Sequence, residues 1–315
     1  GEADTNENTS AVNPHLRILD SVDPTDVAFD DAVKGGVTTV MVHPGKLMIG
    51  KQVISPVAGQ SVVLKTAGSV GSRTVLREPA GMKLALGRAV KESASTFRDG
   101  PNSSMGICAL IRGLLREARD YRDRDGGDAR DVKLEALGRL LSGEIPAHVH
   151  AHQTRDIRAA LEIAEEFGID LVLEHATEGH LLADTLVQQN VPCVVGPITV
   201  ARETREELKN LTQRTPGLLA AAGVKVALMT DHPTEPIQFL PIIAGEAVRE
   251  GMSPDEALKA ITLNAAEILG VDARVGSIEV GKDADLVVHD GDPLEAWTRI
   301  RLVIADGDVV LDTLR

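Results

Sequence analysis

Nine histidines occur in 315 residues, and three of them stand at alternate positions of one short run, IPAHVHAHQ, as His148, His150 and His152. Alternate residues of a strand point to the same side. The run therefore predicts a row of imidazoles on one face, which can serve as a metal site, a proton relay or a wet polar edge. Two other runs offer partners of the right kind: His175 ends DLVLEH and Asp231 ends VKVALMTD. Two imidazoles and a carboxylate brought from separate strands suit Zn2+ or a similar divalent ion. A carboxylate beside such an ion can also take the proton of an attacking water. Lys83 stands in the apolar run GMKLALG, where a buried ammonium is costly. A neutral lysine amine can take up CO2 to form a carbamate, an anionic oxygen ligand. Lys65 in SVVLKTAG is a second strand lysine and makes Lys83 less distinctive.

The histidines do not carry equal weight. His150 is the expected ligand. His152, beyond it on the same face, is expected to support the ligands or face the substrate. His148 is expected to be a partly exposed bystander near the entry. His232 follows Asp231 and is expected to face the other way or out into the loop. His43, at the end of the first strand, is weighed toward a structural role.

These residues need strands to present them. Seven runs read as strands: 36–45, 61–68, 81–87, 146–152, 170–178, 191–197 and 224–233. Helical patterns lie between and after them at 105–124, 154–168, 180–190, 205–211 and 253–270. The 154–168 helix is read with Thr154 as N-cap and a stop at Gly168, and the 253–270 helix opens at Ser253-Pro254 and closes at Gly270. Such alternation predicts parallel strands joined by right-handed crossovers. Candidate polar residues gather at the C-terminal ends of several strands (His43, Lys83, His150, His152, His175 and Asp231), as in a (β/α)8 barrel. A doubly wound sheet would more often show a glycine-rich phosphate loop after its first strand, and none is present. After Gly270 short strands with Gly/Asp turns predict a small antiparallel unit. The stretches 91–104 and 123–130 read as loops.

Composition narrows the classes. Hydrophobic residues make up 43% and aromatics 2%, so the core must rest on Val, Leu, Ile and Ala. A net charge of −14 argues against nucleic-acid and anionic-membrane partners. The two cysteines, Cys108 and Cys193, read as buried thiols of a reducing, cytoplasmic setting.

Taken in order, IPAHVHAHQTRDI, DLVLEHATEGH, VKVALMTDHP, EALKAITLNAAEILG and VGSIEVGKDADLVVHDGDP…VIADGDVV resemble the amidohydrolase superfamily, in particular its imidazolonepropionase-like metal-dependent hydrolases. The resemblance covers nearly the whole chain. It implies a distorted (β/α)8 TIM barrel over 1–270 and the C-terminal part of a small β-sandwich over 271–315. It also implies one or two divalent ions, with zinc the expected metal, and a homo-oligomer. The family's fifth-strand histidine maps to His150, its sixth-strand histidine to His175, and its eighth-strand aspartate, ligand and general acid/base, to Asp231. The fourth-strand lysine, carboxylated in many members, maps to Lys83, with Glu78 in REPAG the alternative. The family's first-strand His-x-His is not in this sequence. By this resemblance an N-terminal part is expected to be missing, with the first strand, two ligands and half of the sandwich. Unpaired edges and poor stability of the 315-residue chain are expected with it.

The expected activity is hydrolysis of C–N bonds in a small-molecule amide or cyclic amide by metal-activated water. Asp231 moves the proton, and His152 or His232 polarises the carbonyl or orients Asp231. A non-catalytic scaffold of the same fold and a mononuclear deaminase are the alternatives.

Overall fold

All seven runs expected as strands enter one sheet. The computed structural model describes residues 5, 7, 9–48, 51–68, 73–93, 100–124, 129–202 and 206–314. The chain enters through α1 (Val27–Lys34) and β1 (Thr39–Val42), then a small hairpin of β2 (Lys46–Met48) and β3 (Lys51–Val53). There follow β4 (Val57–Lys65), β5 (Val75–Ala85), α2 (Arg88–Ser93), α3 (Ser104–Arg122), α4 (Val132–Leu141), β6 (Ala147–Ala151) and α5 (Thr154–Phe167). Next come β7 (Leu171–His175), α6 (Ala183–Gln188), β8 (Cys193–Val195), α7 (Thr215–Ala222), β9 (Val226–Leu228) and α8 (Leu240–Arg249). The chain ends with α9 (Pro254–Ala260), α10 (Leu263–Leu269), β10 (Leu286–His289), β11 (Ile300–Ala305) and β12 (Asp308–Asp312). The large sheet runs β1-β4-β5-β6-β7-β8-β9, and β10-β11-β12 form a separate antiparallel sheet.

The all-parallel expectation holds from β5 to β9 and fails before it. β1 pairs antiparallel with β4, and β4 with β5. Connection length explains the difference. Only residues 66–74 separate β4 from β5, too few for a crossover helix. The β1-to-β4 link is spent on the β2–β3 hairpin, which returns the chain in the opposite direction. Among the described residues, β1 and β9 are the two edges of the seven-stranded sheet.

Helix ends follow local chemistry. Ser103 caps α3 by accepting from Gly106 N–H, and Ser253 caps α9 by accepting from Glu256 N–H. Gly168 ends α5 at φ 65° and Gly270 ends α10 at φ 66°, the left-handed conformation that glycine adopts without strain. The single helix expected over 253–270 is broken at Ile261–Thr262 into α9 and α10. Thr154 is the first residue of α5, and Gln153, without a side-chain capping bond, occupies the N-cap. The expected helix at 180–190 is a 3-10 turn followed by α6, and that at 205–211 is only a 3-10 turn, Glu206–Leu208. The middles of the loops at 91–104 and 123–130 lie outside the described residues.

The main core packs aliphatic side chains of β5 to β9 against α3, α4, α5, α7 and α8. Lys65 ties the two sheets together. Its side chain is wholly buried at the end of β4, and its Nζ lies 2.7 Å from Asp285, 3.0 Å from Asp283 and 3.1 Å from Asp306. That lysine is therefore a charge clasp. Cys193 is buried, whereas Cys108 is only partly so, and both are free thiols. No helix among the described residues is long and apolar enough to cross a membrane.

Candidate metal centre

Every residue of β6 is buried. Its parallel register sets Lys83 of β5 beside His148, and Glu174 of β7 beside His150. In-register neighbours share a face of the sheet, so Lys83, His148, His150 and Glu174 all point the same way. By the same rule His175, next to Glu174, should point to the opposite face. It does not, because φ at His175 is +67° and at Ala176 +45°. This left-handed turn is uncommon for residues other than glycine. It swings the imidazole to 4.3 Å from the His150 ring and 4.5 Å from the His152 ring, centroid to centroid. A second left-handed residue, Asp231 at φ +51°, follows β9.

One group so formed is His150, His152 and His175, all buried, each offering a ligand atom within 4.8 Å of the others. His175 Nδ1 lies 2.8 Å from the carbonyl of Gly196. A carbonyl only accepts, so Nδ1 carries the proton, and Nε2 of the neutral ring keeps its lone pair. His152 Nδ1 lies 2.7 Å from the Thr177 hydroxyl. Glu178 holds the turn between them: its backbone N–H donates to His152 O, and its carboxylate accepts from the Thr154 N–H at 2.6 Å. Burial works to raise the Glu178 pKa, but hydrogen bonds from Thr154 and Asn210 bring it below the ordinary value.

The second group is His43, His148 and Glu174, again with ligand atoms within 4.8 Å. Glu174 Oε1 lies 2.9 Å from His43 Nε2 and 3.2 Å from His148 Nδ1, while Oε2 pairs with Lys83 Nζ. Burial lowers the Lys83 pKa to about 8, with Asp231 acting in the opposite direction. Burial, then the nearby His43, Lys83 and Arg77, hold the His148 imidazole well below its ordinary value.

His150, His152 and His175 are thus brought together as candidate ligands. Asp231 is near enough to Lys83 and His43 to act on both electrostatically, and its Oδ2 accepts from the Thr234 hydroxyl at 3.0 Å. Lys83 is turned to Glu174. Glu78, its alternative, is five residues earlier on β5 in an ion pair with Arg17 at 2.5 Å. His148 is not an exposed bystander: its side chain is 1% exposed and faces Glu174. His43 joins the same group. His232 is exposed, and its Nδ1 accepts from Ile237 N–H, so of His152 and His232 only the former stands beside His150 and His175. Sequence reasoning missed Glu174. Its signal was an acid inside the apolar run LVLEH, obscured by the adjacent histidine.

The donor set fits a divalent transition ion, since three buried imidazoles converge and one has its tautomer fixed with the ligand nitrogen free of the proton. Parallel strands whose ends gather imidazoles and carboxylates define an α/β protein with a candidate metal centre. The comparisons agree on which one. Residues 141–310 match the model of the Amidohydrolase family, and the chain belongs to that family. The crystal structure of an amidohydrolase from Thermotoga maritima MSB8 superposes with a TM-score of 0.90 at 38% identity, covering 98% of this chain and 81% of that one. Amidohydrolase tasK of Hapsidospora irregularis is 25% identical over 99% of this chain. Imidazolonepropionase of Maricaulis maris is 30% identical over 69% of it. The chain spans 34% of the length of tasK and 57% of that imidazolonepropionase.

Proposed function

We propose that this chain carries the active site of a divalent-metal-dependent hydrolase of C–N bonds, acting on a small amide or cyclic amide. We read its sheet as a (β/α)8 barrel open between β1 and β9. The observation that carries the reading is the convergence of His150, His152 and His175 in one buried group. Family membership and the names of its relatives, an amidohydrolase and an imidazolonepropionase, support the reaction class.

When bound, a divalent ion, zinc being the expected one, supplies a Lewis acid that acidifies water and polarises a carbonyl. His150 and His175 would hold it, with His152 as third ligand. The Gly196 carbonyl and Thr177 hydroxyl fix two of these rings from behind. Asp231, in a left-handed turn after β9, would take the proton from water and deliver it to the leaving nitrogen. The Thr234 hydroxyl orients the Asp231 carboxylate.

Lys83 supports a second form of the same reading. Its amine is engaged by Glu174 and not by the three histidines, which favours a mononuclear centre, as in a deaminase, over one bridged by a carboxylated lysine.

The test is metal content per chain, by elemental analysis, for the full-length protein and its His150→Ala variant, with a screen of dipeptides and cyclic amides. About one or two equivalents, with at least one of them lost in the variant together with hydrolysis, is the expected result. A well-folded wild type without metal sinks the mechanism.

A further inference from the structure

We infer that His43, His148 and Glu174 form a second cation site, separate from the three-histidine centre, that takes one first-row divalent ion through two imidazoles and one carboxylate oxygen. Atoms bound about 2.1 Å from one ion lie roughly 3.0–3.4 Å from each other. Glu174 Oε1 stands 2.9 Å from His43 Nε2 and 3.2 Å from His148 Nδ1, close to that spacing before any ion is added.

His43 and Glu174 are held from behind, as ligands are. His43 Nδ1 lies 2.6 Å from the Ser61 hydroxyl. Lys83 occupies Oε2 of Glu174, which leaves Oε1 as the atom presented to both rings. His148 Nε2 is buried without a hydrogen bond, so the polar contact of this ring runs through Nδ1 toward Glu174. The ring is seated on Gly81, where a Cβ would lie 2.4 Å from its Cδ2. The site shares no ligand with the three-histidine group. His148 is level with Lys83 and Val172, and Glu174, level with His150 on the neighbouring strand, reaches it diagonally. Two imidazoles and a carboxylate select zinc, cobalt or a similar ion over magnesium or calcium.

The test is titration of metal-stripped full-length protein with Zn2+ and with Co2+, reading stoichiometry by calorimetry and ligand geometry by the visible cobalt spectrum. His43→Ala and Glu174→Gln remove ligands of this site. His150→Ala removes one of the other, and circular dichroism checks the fold of each. His43 is the mildest position to change, since its side chain is 24% exposed. Two equivalents in the wild type, falling to one in His43→Ala and in Glu174→Gln with the remaining affinity within about threefold, is the expected result. One equivalent that is lost in His150→Ala and untouched in His43→Ala overturns this inference and leaves the proposed function standing. One equivalent lost in His43→Ala and untouched in His150→Ala does the reverse. No uptake by folded protein overturns both and reduces the His43–His148–Glu174 group to a hydrogen-bonded network.

Discussion

His148 Nδ1 lies 3.2 Å from Glu174 Oε1, with both side chains almost wholly shut from solvent. The two residues are on adjacent parallel strands, and Lys83, one strand further along, completes the set through the other oxygen of Glu174. A carboxylate at this depth is tolerable only while its partners remain.

Lys83→Ala is therefore expected to cost about 3–5 kcal/mol, because it leaves Glu174 without its ammonium partner. Adding Glu174→Gln should return part of that loss. Urea unfolding of the two single variants and the double variant measures the coupling. Strictly additive losses would mean that the pair is not an energetic unit.

Lys65 gives a prediction with a pH dependence. Burial lowers its pKa, but Asp285, Asp283 and Asp306 raise it overall above the ordinary 10.5. Its contribution is complete below that value and is lost as pH rises through the higher folded-state one. Burial raises the pKa of Asp283, but Lys65 and Arg274 hold it below the ordinary 3.8. Its contribution is present above 3.8 and is lost as pH falls through the lower folded-state value. Lys65→Met should thus destabilise by a constant amount between about pH 5 and pH 10, with the difference from wild type shrinking on either side. Denaturant curves across pH check this; a difference unchanged at pH 3 would contradict it.

Gly196 both turns the chain after β8 and presents the carbonyl that fixes His175. A Cβ there would meet the Met229 carbonyl oxygen at 2.0 Å, at φ +149°. Gly196→Ala should lower stability by about 1–3 kcal/mol. It should also weaken zinc binding roughly tenfold through the displaced His175. Thermal unfolding and a competitive zinc titration separate the two effects, and unchanged zinc affinity would deny Gly196 its orienting role.

Glu178 caps α5 from outside that helix, since Gln153 at the N-cap makes no side-chain bond. Glu178→Ala should cost about 1–3 kcal/mol. It should speed amide exchange at the start of α5. Native-state hydrogen exchange shows this directly; unchanged protection of Thr154 and its neighbours would assign the cap elsewhere.

The sequence by itself determined the seven strands of the large sheet, that β6 carries a one-sided row of imidazoles, and that His150, His175 and Asp231 lie at or just beyond the C-terminal ends of strands. Period-two alternation and apolar runs are local properties, readable without a fold. Even the resemblance to amidohydrolases rested on such runs taken in order. Only the tertiary structure decided three other matters. It reversed β4 relative to its neighbours, because connection length and the β2–β3 hairpin override the alternation of strand and helix. It broke alternation at His175 and turned the chain at Asp231 through left-handed backbone, which no side-chain pattern announces. It also assigned the lysines: Lys65 to three aspartates more than 200 residues away, and Lys83 to Glu174. A buried charge is stable only with a partner, and which partner it meets is set by strand register and loop closure, not by sequence neighbourhood.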